Sequence, residues 1–155
     1  MGATIMYARI LKTKDFGSFY TLLIKSLTEK GYNDKTFDRE MLNVEAKRTF
    51  VAVDQTVIGL FHNDEMCGFA ILLFDKNTFN EDKFVNVDMA YIQPSLRDID
   101  SMDVMFEMIY DIGKQNSCDA VFVTRNGICM DEREIKDFFS HGQFFQTDAI
   151  WKARL

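Results

Sequence analysis

The chain has 155 residues, of which 47% are hydrophobic and 14% aromatic, which is enough apolar material for one domain spanning residues 1–155 with a buried core. The 24 acidic and 18 basic residues give a formal net charge of −6 without any Lys/Arg-rich run, which argues against nucleic acid as a partner. The three cysteines form no CxxC pair, which argues against a disulfide framework or a zinc site.

The N-terminal segment MGATIMYARILKTKD lacks the long apolar run of a signal peptide or a membrane span, so we expect a cytoplasmic protein without a membrane partner. Hydrophobic periodicity predicts one strand, two helices and two more strands in the first half of the chain. These elements are a strand at Thr4–Ile10, helices at Lys14–Lys30 and Phe37–Arg48, and strands at Thr49–Phe61 and Met66–Phe74. Gly31 is expected to end the first helix, and Asp34 or Thr36 to cap the second. The HNDE sequence at 62–65 predicts a hairpin turn.

A polar loop at Asp75–Asp82 leads into a second half in which strands and helices alternate. The predicted elements are a strand at Phe84–Ile92 closed by Pro94, a helix at Ser101–Gln115, a strand at Ser117–Thr124, a short charged helix at Asp131–Ser140 and a pair of short strands within Gln143–Leu155. The stretch from Phe84 to Thr124 is a βαβ unit with a right-handed crossover, whereas the earlier strands join by hairpins. The sequence therefore predicts an α/β fold, a mixed central sheet in the order β-αα-βββ-α-β-α-ββ with helices on both faces.

Four stretches, taken in chain order, carry a resemblance to a known family. FVAVD and DEMCGFAILLF look like two early strands, the second with a glycine in mid-strand. YIQPSLRDIDSMDVMFEMIYDIGKQNSCDAVFV contains a strand end, an Ile-x-Pro, an arginine, a loop, a helix and a strand. EIKDFFSHGQFF places an aromatic pair before a glycine. Together they resemble the GNAT family of acyl-CoA N-acyltransferases over most of the chain, and they look closest to GNAT-like proteins encoded by bacteriophages.

The resemblance implies that the chain binds acetyl-CoA as a substrate. The family's pyrophosphate loop, Arg/Gln-x-x-Gly-x-Gly/Ala, presents backbone N–H groups at a helix N-terminus, which bind such an anion. Arg97 falls on its first position, whereas Asp100 and Met102 stand where the glycine and the glycine or alanine belong. The residues implied to contact acetyl-CoA are Met89, Ala90, Tyr91, Ile92, Arg97, Asp98, Ile99, Asp100, Ser101, Met102 and Asn126.

The loop is also acidic, with Asp98, Asp100 and Asp103 around the place of the pyrophosphate. Unit charges some 6 Å apart at an effective dielectric near 20 repel by roughly 2–3 kcal/mol, before solvent reduces the value. An alternative interpretation is that Asp98 and Asp100 are the N-cap and a first-turn acid of the following helix, which they stabilise. The two interpretations are compatible, since a well-capped, anionic helix N-terminus is a poor anion site.

The resemblance further implies a general base near the central strand and a tyrosine that protonates the leaving thiolate. Asp88 is the candidate base, although it also fits a solvent-facing position between Val87 and Met89. Phe138 stands where the tyrosine belongs, and neither it nor its neighbour Phe139 can donate a proton. His141 is a second candidate acid or base, with a surface or capping role as the alternative.

Two functions are consistent with these features. The first is an N-acetyltransferase that moves an acetyl group from acetyl-CoA to a small-molecule or protein amine. The second is a GNAT-fold phage protein that has lost catalysis and acts as a structural or interaction module. The resemblance leaves a homodimer or a phage or host protein as further partners, with the host cytoplasm or the virion as the location of a phage-encoded chain.

Overall fold

The computed structural model describes residues 5–33, 35, 38–76, 79, 81–124, 144–147 and 150–155. These residues form seven strands and three α-helices, with short 3-10 turns at Thr13–Asp15 and Pro94–Leu96. In chain order the elements are β1 (Met6–Ile10), α1 (Phe16–Glu29), α2 (Arg39–Val51), β2 (Gln55–His62), β3 (Glu65–Lys76), β4 (Lys83–Ile92), α3 (Ile99–Gln115), β5 (Ala120–Thr124), β6 (Phe144–Thr147) and β7 (Ile150–Arg154). Among the helices that the structure describes, none combines the length and the apolar character of a membrane span.

The strands form one mixed sheet in the order β1-β2-β3-β4-β5-β7-β6. β4 and β5 run parallel because α3 carries the chain back across the sheet between them. The other neighbouring strands are antiparallel, and of these pairs β2–β3, β3–β4 and β6–β7 are consecutive in the chain. The predicted α/β fold with a mixed central sheet is therefore confirmed.

Each face of the sheet carries its own apolar core. On one face, α3 buries the stripe that its sequence predicts, Met102, Met105, Phe106, Ile109 and Ile112, against the strands. On the other face, α1 and α2 cover the sheet, and the Phe19 ring meets the Phe69 ring edge-on at a centroid distance of 5.0 Å. The prediction of helices on both faces is confirmed, and β4 lies in the middle of the sheet with a core on each side.

Two turns follow directly from local sequence. Gly31 adopts a φ of +94°, a conformation that glycine reaches without strain, and it ends α1 as predicted. Asn63 and Asp64 adopt φ values of 50° and 68°, which makes the predicted hairpin turn between β2 and β3.

The boundaries of α2 differ from the prediction. The helix begins at Arg39 because Asp38 caps it, its carboxylate accepting from the Glu40 N–H at 2.9 Å and the Met41 N–H at 3.3 Å. Asp34 and Thr36, the predicted caps, lie outside the described residues. The predicted strand at Thr49–Phe61 was wrong at its start, since the helix continues through Val51 and the strand begins at Gln55.

The ends of other elements also differ from the prediction. The first two residues of the predicted loop at Asp75–Asp82 belong to β3, which extends to Lys76. α3 begins at Ile99, two residues before the predicted Ser101, because Asp98 caps it. β5 begins at Ala120 and leaves Ser117, with a φ of +58°, in the turn after α3. The predicted helix at Asp131–Ser140 lies outside the described residues.

Candidate functional site

β4 and β5 separate partway along β4. The two strands pair from Phe84 with Ala120 to Val87 with Val123, and β4 then continues to Ile92. The next residue of β5, Thr124, pairs with β7 and has no partner on β4. Within the described residues, the edge of β4 from Asp88 to Ile92 therefore has no strand beside it, and a wedge opens in the middle of the sheet.

A β-bulge marks the start of this wedge. Ile71 of β3 pairs with Met89 and Leu72 pairs with Val87, so Asp88 is one extra residue on β4. The bulge changes which residues face α3. Val87 before it and Ala90 after it both belong to the α3-side core. Asp88 itself is exposed and lies where β4 and β5 separate, so the candidate base is also a solvent-facing residue, as the alternative interpretation held.

The backbone of β4 offers hydrogen-bonding groups to the wedge. The Gln93 N–H donates to the Cys67 carbonyl at 2.8 Å, which fixes the alternation of bonds between β3 and β4. By that alternation, the N–H and C=O groups of Met89 and Tyr91 point toward β3. Those of Ala90 and Ile92 point to the opposite side, toward the wedge. Of the predicted contacts on this strand, Ala90 and Ile92 thus offer backbone groups to a ligand.

The Arg97 side chain binds one of the backbone groups that β4 turns toward the wedge, the Ile92 carbonyl. Its Nε and Nη2 donate to the Ile92 carbonyl at 3.0 and 2.7 Å, and its guanidinium lies 5.6 Å from the centre of the Tyr91 ring. The same guanidinium forms a two-pronged ion pair with Glu29 at 2.8 and 3.1 Å. The side chain is only 10% exposed. Arg97 therefore contacts protein groups on several sides, and the part of β4 left for a ligand is the Ala90 peptide and the Ile92 N–H.

The N-terminus of α3 lies at the far end of the wedge from the bulge. Asp98 caps it, with its carboxylate accepting from the Ser101 N–H at 2.7 Å. The Ser101 hydroxyl lies 2.6 Å from the Leu96 carbonyl and is buried. The predicted capping role of Asp98 is present in this geometry. The N–H groups of Ile99 and Asp100 donate to no other group in the part of the chain that the structure describes.

Asp100 and Met102 stand where the family's loop has small residues, and their side chains lie in different surroundings. Met102 is 2% exposed and packs in the α3-side core, so its side chain stays out of the wedge. Asp100 and Asp103 are exposed and add negative charge around the helix N-terminus. Ile99, half exposed, places an apolar side chain at the same end.

The remaining residues predicted from the sequence, Asn126, His141, Phe138 and Phe139, lie outside the described residues. Tyr110 packs beside the α3-side core, and burial raises the pKa of its hydroxyl, which makes it a weaker proton donor. Sequence reasoning missed Glu29, because nothing around this helix-terminal acid indicates a partner 68 residues away.

The sequence matches no protein-family model and no curated protein. Solved structures do match. A predicted acetyltransferase from Clostridium acetobutylicum, solved with acetyl-CoA, is 13% identical over 93% of this chain and 92% of that one, with a TM-score of 0.71. A ribosomal-protein-alanine N-acetyltransferase from Brucella melitensis biovar Abortus is 14% identical over 89% and 88%, with a TM-score of 0.65. A GNAT family acetyltransferase from Staphylococcus aureus is 14% identical over 83% and 89%, with a TM-score of 0.65. The chain therefore has the fold of the GNAT acetyltransferases.

Proposed function

We propose that the chain is an N-acetyltransferase that moves an acetyl group from acetyl-CoA to an amine. The observation that carries this proposal is the wedge between β4 and β5, where the Ala90 peptide and the Ile92 N–H face no other strand among the described residues and a helix N-terminus lies at the end. An extended, amide-containing ligand fits the first feature, and an anionic group fits the second. The pantetheine arm and the pyrophosphate of acetyl-CoA combine both in one molecule.

The chain's own groups define how such a ligand is held. The Ala90 N–H and carbonyl and the Ile92 N–H pair with the amides of the pantetheine arm, as an added strand does. The N–H groups of Ile99 and Asp100, which bind no group in the described ranges, face the pyrophosphate, helped by the positive end of the α3 dipole. Asn126 remains a predicted contact from the resemblance alone.

The reaction requires the acceptor nitrogen to attack the thioester carbonyl carbon. A carbon–nitrogen bond forms, the carbon–sulfur bond breaks, and coenzyme A leaves as a thiolate. Asp88, at the point where β4 and β5 separate, takes the proton that the amine loses, directly or through water. That proton or another from solvent neutralises the thiolate. His141 stays the second candidate for either transfer.

One observation favours a different function. Asp98, Asp100 and Asp103 surround the helix N-terminus, and the Asp98 carboxylate already occupies the Ser101 N–H. Such a site repels a pyrophosphate. The alternative proposal is therefore a GNAT-fold protein without catalysis, acting as a structural or interaction module in a phage particle or against a phage host. Its partner would be a basic protein surface.

Calorimetric titration of the protein with acetyl-CoA separates the two proposals. The acetyltransferase predicts saturable binding and, with a library of small amines and lysine peptides, release of free thiol. If no heat of binding is measured at millimolar acetyl-CoA, the acetyltransferase proposal is contradicted and the interaction module is favoured.

A further inference from the structure

The first turn of α3 offers two backbone N–H groups to a ligand, and both lie next to acidic residues. The Met102 N–H donates to the Asp98 carbonyl at 3.1 Å, and the Ser101 N–H donates to the Asp98 carboxylate at 2.7 Å. Within the described part of the chain, the N–H groups of Ile99 and Asp100 therefore remain for a ligand. Asp98 precedes the first of these groups and Asp100 carries the second, and both acidic residues are exposed.

A third acid and the contacts of Arg97 add to the negative charge at this end of the wedge. Asp103 is exposed about one turn after Asp100 on α3. The Arg97 guanidinium binds the Ile92 carbonyl at 2.7 and 3.0 Å and the Glu29 carboxylate at 2.8 and 3.1 Å. Because it is held by protein groups and its side chain is only 10% exposed, this cation is directed away from an anion bound at the α3 N-terminus.

The edge of β4, in contrast, suits an uncharged ligand. The Ala90 N–H and carbonyl and the Ile92 N–H offer donors and an acceptor to amides, as a strand does. Ile99, half exposed, adds apolar surface at the end of the same wedge. Pantetheine consists of amides, short apolar links and hydroxyl groups, and it carries no charge. The wedge therefore matches the pantetheine arm better than it matches the nucleotide of coenzyme A.

We propose that the wedge recognises its acyl donor by the pantetheine arm and that the pyrophosphate of coenzyme A lowers the affinity; the inference rests on the proposed function, because it requires that the wedge hold a thioester. In water, one carboxylate about 6 Å from a phosphate charge weakens binding roughly threefold. The carboxylates of Asp98, Asp100 and Asp103 together offset the gain from two N–H groups and the helix dipole. Acyl thioesters of pantetheine that lack the nucleotide are then donors at least as good as acetyl-CoA.

The transfer step is the same with such a donor. The acceptor nitrogen bonds to the thioester carbonyl carbon, and the carbon–sulfur bond breaks. Pantetheine leaves as a thiolate and takes up the proton that the amine has lost, directly or through solvent. The nucleotide takes no part in this step, so its absence changes binding and leaves the chemistry intact.

The test compares acetyl-CoA with S-acetylpantetheine as ligands of the whole protein. Calorimetry measures both dissociation constants at low and at high salt. We expect S-acetylpantetheine to bind at least as tightly as acetyl-CoA at low salt, with a Kd that does not depend on salt. Acetyl-CoA should bind more tightly as salt is added, because salt screens the repulsion between like charges.

A double variant, Asp100→Asn with Asp103→Asn, assigns the repulsion to α3. Removing the two charges should strengthen acetyl-CoA binding roughly tenfold, at about threefold for each charge, and leave S-acetylpantetheine binding unchanged. Asp111→Asn removes an exposed charge further along α3 and should match the wild type with both ligands. Thermal unfolding checks that the variants are folded, and the salt series on the wild type tests the same repulsion without any substitution.

The outcomes separate the inference from the proposed function. If acetyl-CoA binds about tenfold or more tightly than S-acetylpantetheine, or if salt weakens its binding, the pyrophosphate is recognised and the inference is overturned, while the proposed function stands. If S-acetylpantetheine binds and acetyl-CoA does not, the inference holds and acetyl-CoA is removed as the donor. If neither ligand binds, the proposed function fails and the inference fails with it.

Discussion

The guanidinium of Arg9 forms two hydrogen bonds with the carboxylate of Asp15, at 2.7 and 2.9 Å, and so joins β1 to the turn before α1. The Lys12 N–H donates to the same carboxylate at 2.7 Å. The Asp15 side chain is 10% exposed. The hydrogen bond from Arg9, more than any other contact, lowers the pKa of Asp15 to about 2, although burial opposes the shift.

This ion pair predicts a loss of stability in acid. The pKa of Asp15 is lower in the folded protein than its ordinary value of 3.8, so the pair stabilises the fold above that pH. The stabilisation disappears as the pH falls from about 4 to about 2. Asp15→Asn should lower the free energy of unfolding by about 1–2 kcal/mol at neutral pH, with solvent screening at the partly exposed Arg9 setting the lower end.

Urea unfolding at several pH values measures this difference. The gap between wild type and Asp15→Asn should narrow as the pH falls toward 2 and close below it. Asp111→Asn removes an exposed carboxylate of α3 and serves as the control, with a gap near zero throughout. A gap for Asp15→Asn that stays constant down to pH 2 contradicts the assignment.

Gly68 should tolerate no side chain. A Cβ atom there would lie 2.6 Å from the Tyr91 carbonyl oxygen, a backbone atom in the middle of the sheet that cannot move aside cheaply. We expect Gly68→Ala to destabilise the protein by about 1–3 kcal/mol in urea unfolding. Gly17→Ala is the control, because nothing lies within 4 Å of its Cβ and alanine favours the helix. It should stabilise by about 0.5–1 kcal/mol, and equal effects of the two changes would disprove the steric argument.

Asp88→Asn separates base catalysis from binding. The amide keeps the size of the side chain but accepts no proton, so the rate of acetyl transfer should fall about 100-fold or more. Acetyl-CoA affinity should stay the same, since the ligand contacts β4 through its backbone. Steady-state kinetics with a reactive amine, together with calorimetry, measure both quantities. An unchanged kcat assigns the base elsewhere, with His141 as the next residue to replace.

Asp100→Asn should strengthen acetyl-CoA binding. The exposed carboxylate repels the pyrophosphate, and one charge some 6 Å away in water contributes about 0.7 kcal/mol, or roughly threefold in affinity. The effect should shrink at high salt. Asp111→Asn, about three turns further along α3, provides the control. Equal affinities of Asp100→Asn and wild type would indicate that the pyrophosphate does not approach this end of α3.

Much of the fold could be predicted because local signals agree with tertiary packing. The α3 stripe, the Asn63–Asp64 turn and the end of α1 at Gly31 each have a cause within a few residues. The region from Thr49 to Val51 could not, since its β-branched residues favour a strand. The cap at Asp38 and the packing of α2 on the sheet make it helical.

The candidate site, like the fold, could be predicted from the sequence only in part. The order of residues showed that Arg97 and Asp98 precede a helix, and Asp98 caps that helix as one interpretation expected. The partner of Arg97 could not be foreseen, because Glu29 approaches it only after α1 has packed on the sheet. The bulge at Asp88 could not be predicted either, because it depends on the pairing of β4 with β3 and no glycine in the sequence marks its position.

The extra residue at Asp88 sets which face of the sheet each later residue of β4 occupies. If Asp88 were missing, Val87 would still pair with Leu72 and Met89 with Ile71, and Ala90 and Ile92 would stay in the α3-side core of a regular strand. One residue inserted between Met89 and Ile92 would instead turn Ile92 to the opposite face. In relatives that keep this architecture, a one-residue gap in an alignment of this strand should therefore fall at Asp88.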